Sequence, residues 1–196
     1  LWELSASDPG RYGITIEEVY GPAWFDGESG VGHFWVGDNY DPELKISDFE
    51  AHVVGSGYGD HVDVATMKFC YVDFEEGPAR AREVFDTYRS TMEAIEGAHP
   101  GAVIVWWTAP IMTSGSDSRD EFNGLVRAHC AAAGCVLFDI ADIESHRPDG
   151  SPVTDSGYEA MHGPYSDDGG HLGYDGRNRV AGAFWWLLAR LAGWAG

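Results

Sequence analysis

Basic residues are scarce in this chain. Lysine and arginine together number 12 against 32 aspartates and glutamates, and Lys45 and Lys68 are the only lysines. The formal net charge of −20 repels phosphate backbones and anionic headgroups. It therefore excludes nucleic acid and anionic membrane as partners and favours neutral or cationic small substrates. Long apolar runs are missing too: the longest, Ala181–Ala192, is interrupted by Arg190 and falls short of the ~20 residues that span a bilayer. Cysteine is sparse and irregular. Cys70, Cys130 and Cys135 give an odd count without ligand spacing, which argues against a disulfide scaffold and against a cysteine metal site. No repeats, linkers or low-complexity stretches occur, so a single domain over residues 1–196 is expected. The chain opens at Leu1, and Leu1-Trp2-Glu3-Leu4 reads as the tail of a helix already under way. That predicts a processed chain or a fragment, and no leader is visible to specify a compartment.

What is present is enough to fold. Hydrophobic residues make up 44% of the 196 and aromatics 13%, sufficient for a sizeable core. Ile14–Val19 alternates with period two and reads as a strand. Gly21–Asn39 is too glycine-dense for regular structure. Asp41-Pro42 opens a helix with Asp41 as cap, stopped by Gly55-Ser56-Gly57. Val62–Tyr71 reads as a buried strand, Pro78 begins a long helix, and Ala102–Thr108 is a second buried strand. Ser118-x-x-Glu121 reads as a capping box for a helix that Gly134 ends. Val136–Ile140 is the last strand, followed by a long loop and a final helix that Asp175 caps. Strands alternating with helical crossovers predict an α/β fold with a mostly parallel sheet, whose chemistry gathers at the strands' C-terminal ends, here the loops Gly32–Asn39, Tyr71–Asp73, Thr108–Thr113 and Asp139–Glu144.

Within that frame, Asp168-Gly169-Gly170-His171 is the segment richest in chemistry. A carboxylate three residues before a histidine, on a glycine-softened loop, can accept a hydrogen bond from Nδ1–H. That fixes the tautomer and leaves Nε2 free to take a proton from a nucleophile. The same tetrapeptide also serves as an ordinary turn. His162 and His171 with Asp167 and Asp168 offer metal-type donors, but their spacing matches no helical ligand pair, so no metal is assigned. Ser29, in Gly27-Glu28-Ser29-Gly30, has the outline of a nucleophile elbow without the preceding strand, and reads as a loop serine. Lys68, inside an apolar strand, needs an anionic partner, for which Asp73 and Asp139 are the candidates.

The segment Tyr165–Gly176, with Asp168-Gly169-Gly170-His171 at its centre, resembles the last block of the SGNH (GDSL-like) hydrolases. In that family a D-x-x-H motif supplies the acid and base of a Ser-His-Asp triad. Lys68–Asp73, Trp106–Pro110, Phe122-Asn123 with Arg127, and Gly37–Pro42 with Lys45 and Phe49 also resemble a bacterial branch, so the likeness covers nearly the whole chain. It implies a three-layer α/β/α sandwich of flavodoxin-like type. It further implies ester hydrolysis on a small or carbohydrate alcohol without a cofactor, His171 acting as base and Asp168 orienting it.

Two departures accompany the resemblance. The family's nucleophilic serine follows the first strand, and neither strand nor serine is found here. This implies an N-terminally truncated domain, or a sheet with a gap between Ile14–Val19 and Val62–Tyr71. Where the family reads G-x-N-D, this chain has Cys70-Tyr71-Val72-Asp73. That leaves Gly37 and Asn39 as candidate oxyanion donors, although Asn39 equally suits a turn before Asp41-Pro42. His33 is a candidate for lining the substrate cleft or an ordinary loop histidine. The rival reading is a non-catalytic glycan-binding domain on the same fold, stacking sugars on Trp24, Phe25, Phe34 and Trp35.

Overall fold

Strand β4 (Val103–Trp107) shows how the layers arise. Successive side chains of a strand point to opposite faces. Ile104 and Trp106 enter one core with Phe49, Tyr88, Met92 and Phe122. Val105 enters a second core with Phe138, against which Val180, Phe184 and Leu187 pack. A strand apolar on both faces needs helices on both sides, which gives the α/β/α sandwich. The computed structural model describes residues 1–26 and 29–195.

In chain order the elements are α1 (Trp2–Ser7), α2 (Pro9–Tyr12), β1 (Thr15–Glu18), β2 (Gly30–His33), α3 (Pro42–Glu50), β3 (Val64–Thr66) and α4 (Pro78–Ala98). After β4 come α5 (Asp117–Ala133), β5 (Val136–Phe138), α6 (Ile140–Ser145), the short hairpin β6 (Thr154–Asp155) and β7 (Tyr158–Glu159), and α7 (Tyr174–Leu191). Strands β3, β4 and β5 form a parallel ladder in that order, with Val64 opposite Val103 and Trp106 opposite Leu137. Helices α3, α4 and α5 cover one face, α7 the other. The Tyr88 hydroxyl accepts a hydrogen bond from the Trp107 N–H at 3.1 Å, pinning α4 to β4. No helix is long and apolar enough to cross a membrane among the described residues.

Strands β1 and β2 pair with each other, parallel, from Thr15–Gly30 to Glu18–His33. Among the described residues no ladder joins them to β3. The parallel strands therefore fall into two separate ladders.

Several local expectations hold. Asp41 caps α3 by accepting from the Leu44 N–H at 2.9 Å, and Gly134 ends α5 in the left-handed conformation at φ 79°. Others are corrected. Gly21–Asn39 contains a 3-10 turn (Pro22–Asp26) and strand β2. Gly30 and Gly32 are strand glycines that admit close neighbours: a Cβ on Gly32 would lie 2.5 Å from the Phe25 ring, and one on Gly30 2.7 Å from the Thr15 carbonyl. Gly27 and Glu28, half of the nucleophile-elbow outline around Ser29, lie outside the described residues. Val62–Tyr71 pairs only over Val64–Thr66, because the chain then leaves the ladder toward a 3-10 turn at Tyr71–Phe74. At the start of α7, Gly173 occupies the cap position and Asp175 sits in the first turn.

The α5 cap is also displaced. Ser116, not Ser118, is the capping residue, its hydroxyl accepting from the Arg119 N–H at 3.4 Å. Ser118 is buried inside the first turn with no partner for its hydroxyl. Ser116→Ala is expected to cost about 1 kcal/mol of stability. Ser118→Ala should be neutral or stabilising, since it removes an unsatisfied buried group. Urea denaturation of the two variants checks this, and the reverse order would return the cap to Ser118.

Candidate active site

The turn that carries His171 is built by one carboxylate. Asp168 Oδ1 accepts the backbone N–H groups of Gly170 at 2.9 Å and His171 at 2.7 Å, and Oδ2 lies 2.7 Å from His171 Nδ1. Gly169 makes the reversal at φ 92°, a conformation that favours glycine. A carboxylate only accepts, so Nδ1 carries the proton and Nε2 presents its lone pair. The three hydrogen bonds hold the Asp168 carboxyl far below the usual carboxylate range, the Gly170 N–H contributing most. The pair is open to solvent, the His171 side chain being 73% exposed.

This turn is anchored to the C-terminal rim of the parallel ladder. Thr113, on the segment that leaves β4, donates its N–H to the Gly169 carbonyl at 2.9 Å. Tyr71, on the segment that leaves β3, sits under Gly170 so closely that a Cβ there would approach its ring to 2.6 Å. The Tyr71 hydroxyl is 3.4 Å from both imidazole nitrogens. That distance is long for a directed hydrogen bond, and the contact is edge-on ring packing, with centroids 5.4 Å apart.

Beside it lies a second, buried carboxylate. Asp73 has no exposed side-chain surface and pairs with Lys45 Nζ at 2.6 Å. It also accepts the N–H groups of Tyr40 at 2.9 Å and Cys70 at 2.7 Å. Lys45 in turn donates to Asn39 Oδ1 at 3.0 Å, leaving the Asn39 amide NH2 without a partner among the described residues. Gly37 donates its N–H to Asp48 at 2.8 Å. It stands at φ 46°, where a Cβ would meet the Lys45 backbone nitrogen at 2.6 Å. His33 ends β2 on the other ladder and is exposed.

The partner expected for Lys68 is corrected. Lys68 is exposed and donates to the Phe69 carbonyl at 3.1 Å. Asp73 belongs to Lys45, and Asp139 to Arg127 at 2.6 Å. Of the proposed stacking faces, Trp24, Phe25 and Phe34 pack against other aromatic rings, whereas Trp35 is 84% exposed. No three histidine, cysteine or acidic side chains come together as a metal site among the described residues. Two clefts, of about 570 Å³ beside Ser5 and Thr15 and about 350 Å³ beside Trp107 and Leu172, stop short of the imidazole.

Tyr71, Thr113 and Glu144 fall in loops that the sequence picks out at the strand ends, although it gives none of them a role. Glu144 is buried on α6 and accepts the Ile111 N–H at 2.8 Å.

Comparison of the sequence with protein-family models and with curated proteins gives no match. Solved structures do match. A Bacteroides fragilis protein provisionally assigned as an acylhydrolase superposes with a TM-score of 0.60 at 12% identity, over 90% of this chain and 86% of its own. A GDSL-like lipase from Bacteroides thetaiotaomicron gives 0.55 at 10%, over 96% and 95%. A protein provisionally placed in the G-D-S-L lipolytic family, from Desulfitobacterium hafniense, gives 0.52 at 9%, over 88% and 98%. The fold is theirs. What they share with this chain is the three-layer α/β architecture.

Burial raises the Glu144 carboxyl from 4.5 to about 8, against smaller opposing effects of the Ile111 N–H and Lys68. The folded state therefore binds the proton more tightly than the unfolded chain. Its contribution to stability is complete below pH 4.5, declines as pH rises to about 8, and is level above that. Glu144→Gln should remove this slope, gaining on the order of a few kcal/mol relative to wild type between pH 5 and 8. Denaturation midpoints across that range test it, and parallel profiles for the two proteins would refute it.

Proposed function

We propose that Asp168 and His171 are the acid and base of a Ser-His-Asp site of SGNH type that hydrolyses esters. The observation that carries this reading is the 2.7 Å contact of Asp168 Oδ2 with His171 Nδ1, in a turn whose histidine side chain is largely exposed. The likeness in fold to GDSL-like structures supports it. On this reading the domain continues before Leu1, and the nucleophilic serine belongs to that preceding segment.

The serine Oγ attacks the ester carbonyl while His171 Nε2 takes its proton. Asp168, ionised throughout, stabilises the imidazolium that forms. The tetrahedral intermediate collapses, the C–O bond to the alcohol breaks, and the imidazolium returns its proton to the departing oxygen. Water then attacks the acyl-enzyme by the same route, releasing the acid and restoring the serine. The unpartnered Asn39 amide is assigned to the oxyanion, as a donor for the charge that develops on the carbonyl oxygen. Gly37, whose N–H is held by Asp48, shapes the loop that presents Asn39. The alcohol is small or a carbohydrate, and no cofactor enters the reaction.

Full-length protein assayed on short p-nitrophenyl esters tests the assignment. His171→Ala is expected to lower kcat/KM by about 10³–10⁴-fold, and Asp168→Asn by a comparable order. Both variants should lose labelling by a fluorophosphonate probe. Equal turnover by wild type and His171→Ala would remove the imidazole from its role.

A further inference from the structure

Tyr71 packs edge-on against the candidate base and has no part in the chemistry above. Its hydroxyl stands 3.4 Å from His171 Nδ1 and 3.4 Å from Nε2. A directed hydrogen bond would bring it to about 3 Å from a single nitrogen. Equal, longer distances to both mean that it is bonded to neither. Among the described residues no other group takes or supplies a hydrogen at this oxygen. A phenol O–H therefore stands unspent beside the imidazole.

Its place is nonetheless fixed. Arg119 is 5% exposed and donates to the Tyr71 carbonyl at 3.4 Å and the Ser114 carbonyl at 3.1 Å, tying together the segments that leave β3 and β4. A Cβ on Gly170 would lie 2.6 Å from the phenol ring and 2.8 Å from its hydroxyl oxygen, so the histidine turn settles directly on the side chain. One residue before Tyr71, the Cys70 N–H goes to Asp73. The same carboxylate accepts the N–H of Tyr40, the residue after Asn39. One buried group thus brings the Tyr71 and Asn39 segments to the same edge. Burial, followed by the neighbouring Cys70 and Asp168, raises the phenol above its ordinary value, so it keeps its proton.

An O–H donor without an acceptor in the resting state suits a charge that exists only during the reaction. It gains a partner as that charge develops, and its contribution then falls on the transition state rather than on the bound substrate. Packing alone would be served as well by phenylalanine.

We propose that Tyr71 is a catalytic residue, its phenol O–H donating a hydrogen bond to the oxyanion of the tetrahedral intermediate alongside the Asn39 amide. This inference rests on the ester-hydrolase reading. The proton stays on the phenol throughout, no bond forms to Tyr71, and the acid–base steps remain those of His171.

Tyr71→Phe removes the hydroxyl and keeps the ring, whereas Tyr71→Leu removes both. On short p-nitrophenyl esters, full-length Tyr71→Phe is expected to lose about 10²-fold in kcat with KM within about threefold of wild type. Tyr71→Leu should fall at least as far. The His171 imidazole nitrogen chemical shifts, read by NMR, should be the same in Tyr71→Phe as in wild type, since the base and its carboxylate are untouched. A kcat for Tyr71→Phe within about threefold of wild type overturns the donor and leaves the hydrolase reading standing. A loss of kcat accompanied by displaced imidazole shifts also overturns it, reducing Tyr71 to a support for the base. Wild type that neither turns over an ester nor takes a fluorophosphonate label sinks the hydrolase reading, and the donor with it.

Discussion

The Asp73 carboxylate is the interaction on which this edge of the molecule depends. With no exposed side-chain surface, it cannot rely on water for its hydrogen bonds. It draws its donors from three separate places: the ammonium of Lys45 on α3, the N–H of Tyr40 in the preceding loop, and the N–H of Cys70 beyond β3. A buried charge that loses a partner costs several kcal/mol, so the three segments are held to one arrangement. Everything presented to solvent here follows from that arrangement: the Asn39 amide through Lys45, the Tyr40 ring through its own backbone, and Tyr71 through the turn that Asp73 closes. Asp168 repeats the device at the surface on a smaller scale, organising four residues where Asp73 organises a whole edge.

The core connects to this rim along one path. Buried Asn123 on α5 both accepts from the Ala109 N–H at 2.7 Å and donates to its carbonyl at 3.1 Å, fixing the chain just beyond β4. Two residues on, Ile111 is held by Glu144, and two further on, Thr113 grips Gly169. Asp139 adds a second brace, accepting from Thr108 and from Arg127, which also reaches Glu159 on β7. That guanidinium is raised above its ordinary value by its two carboxylates, which outweigh the effect of its burial. The loop after β4 is thus tied at alternate residues, twice by buried side chains and once by its own backbone, and this links the sheet to the histidine turn.

What the sequence made legible follows a physical division. Patterns that belong to one element were readable: the period of β1, the two-sided hydrophobicity of β4, the Asp41 cap, the Gly134 stop. So was the Asp168–His171 contact, because its partners are three residues apart and need only a turn between them. Patterns set by contact between distant segments were not. Glycine 32 looked like loop because nothing local reveals the Phe25 ring it must admit. Lys68 reads as a cation in need of Asp73 or Asp139, and only packing decides that it turns to solvent while Lys45 takes Asp73. The burial of Glu144 gave no sign, since a carboxyl becomes unusual only once neighbours have buried it.

The same division separates the parts of the candidate site by what each requires. The base and its carboxylate form a self-contained unit, complete within Ser166–His171 and indifferent to whether the two strand ladders are joined. The Asn39 amide and the Tyr71 phenol depend on Asp73, hence on α3 and β3 lying where they do. On the proposed reading a nucleophile would have to reach both His171 Nε2 and the Asn39 amide. The two are positioned independently, the histidine turn by Thr113 and the Asn39 loop by Lys45. Groups held in place before a substrate arrives are the condition under which electrostatic stabilisation of a transition state is greatest.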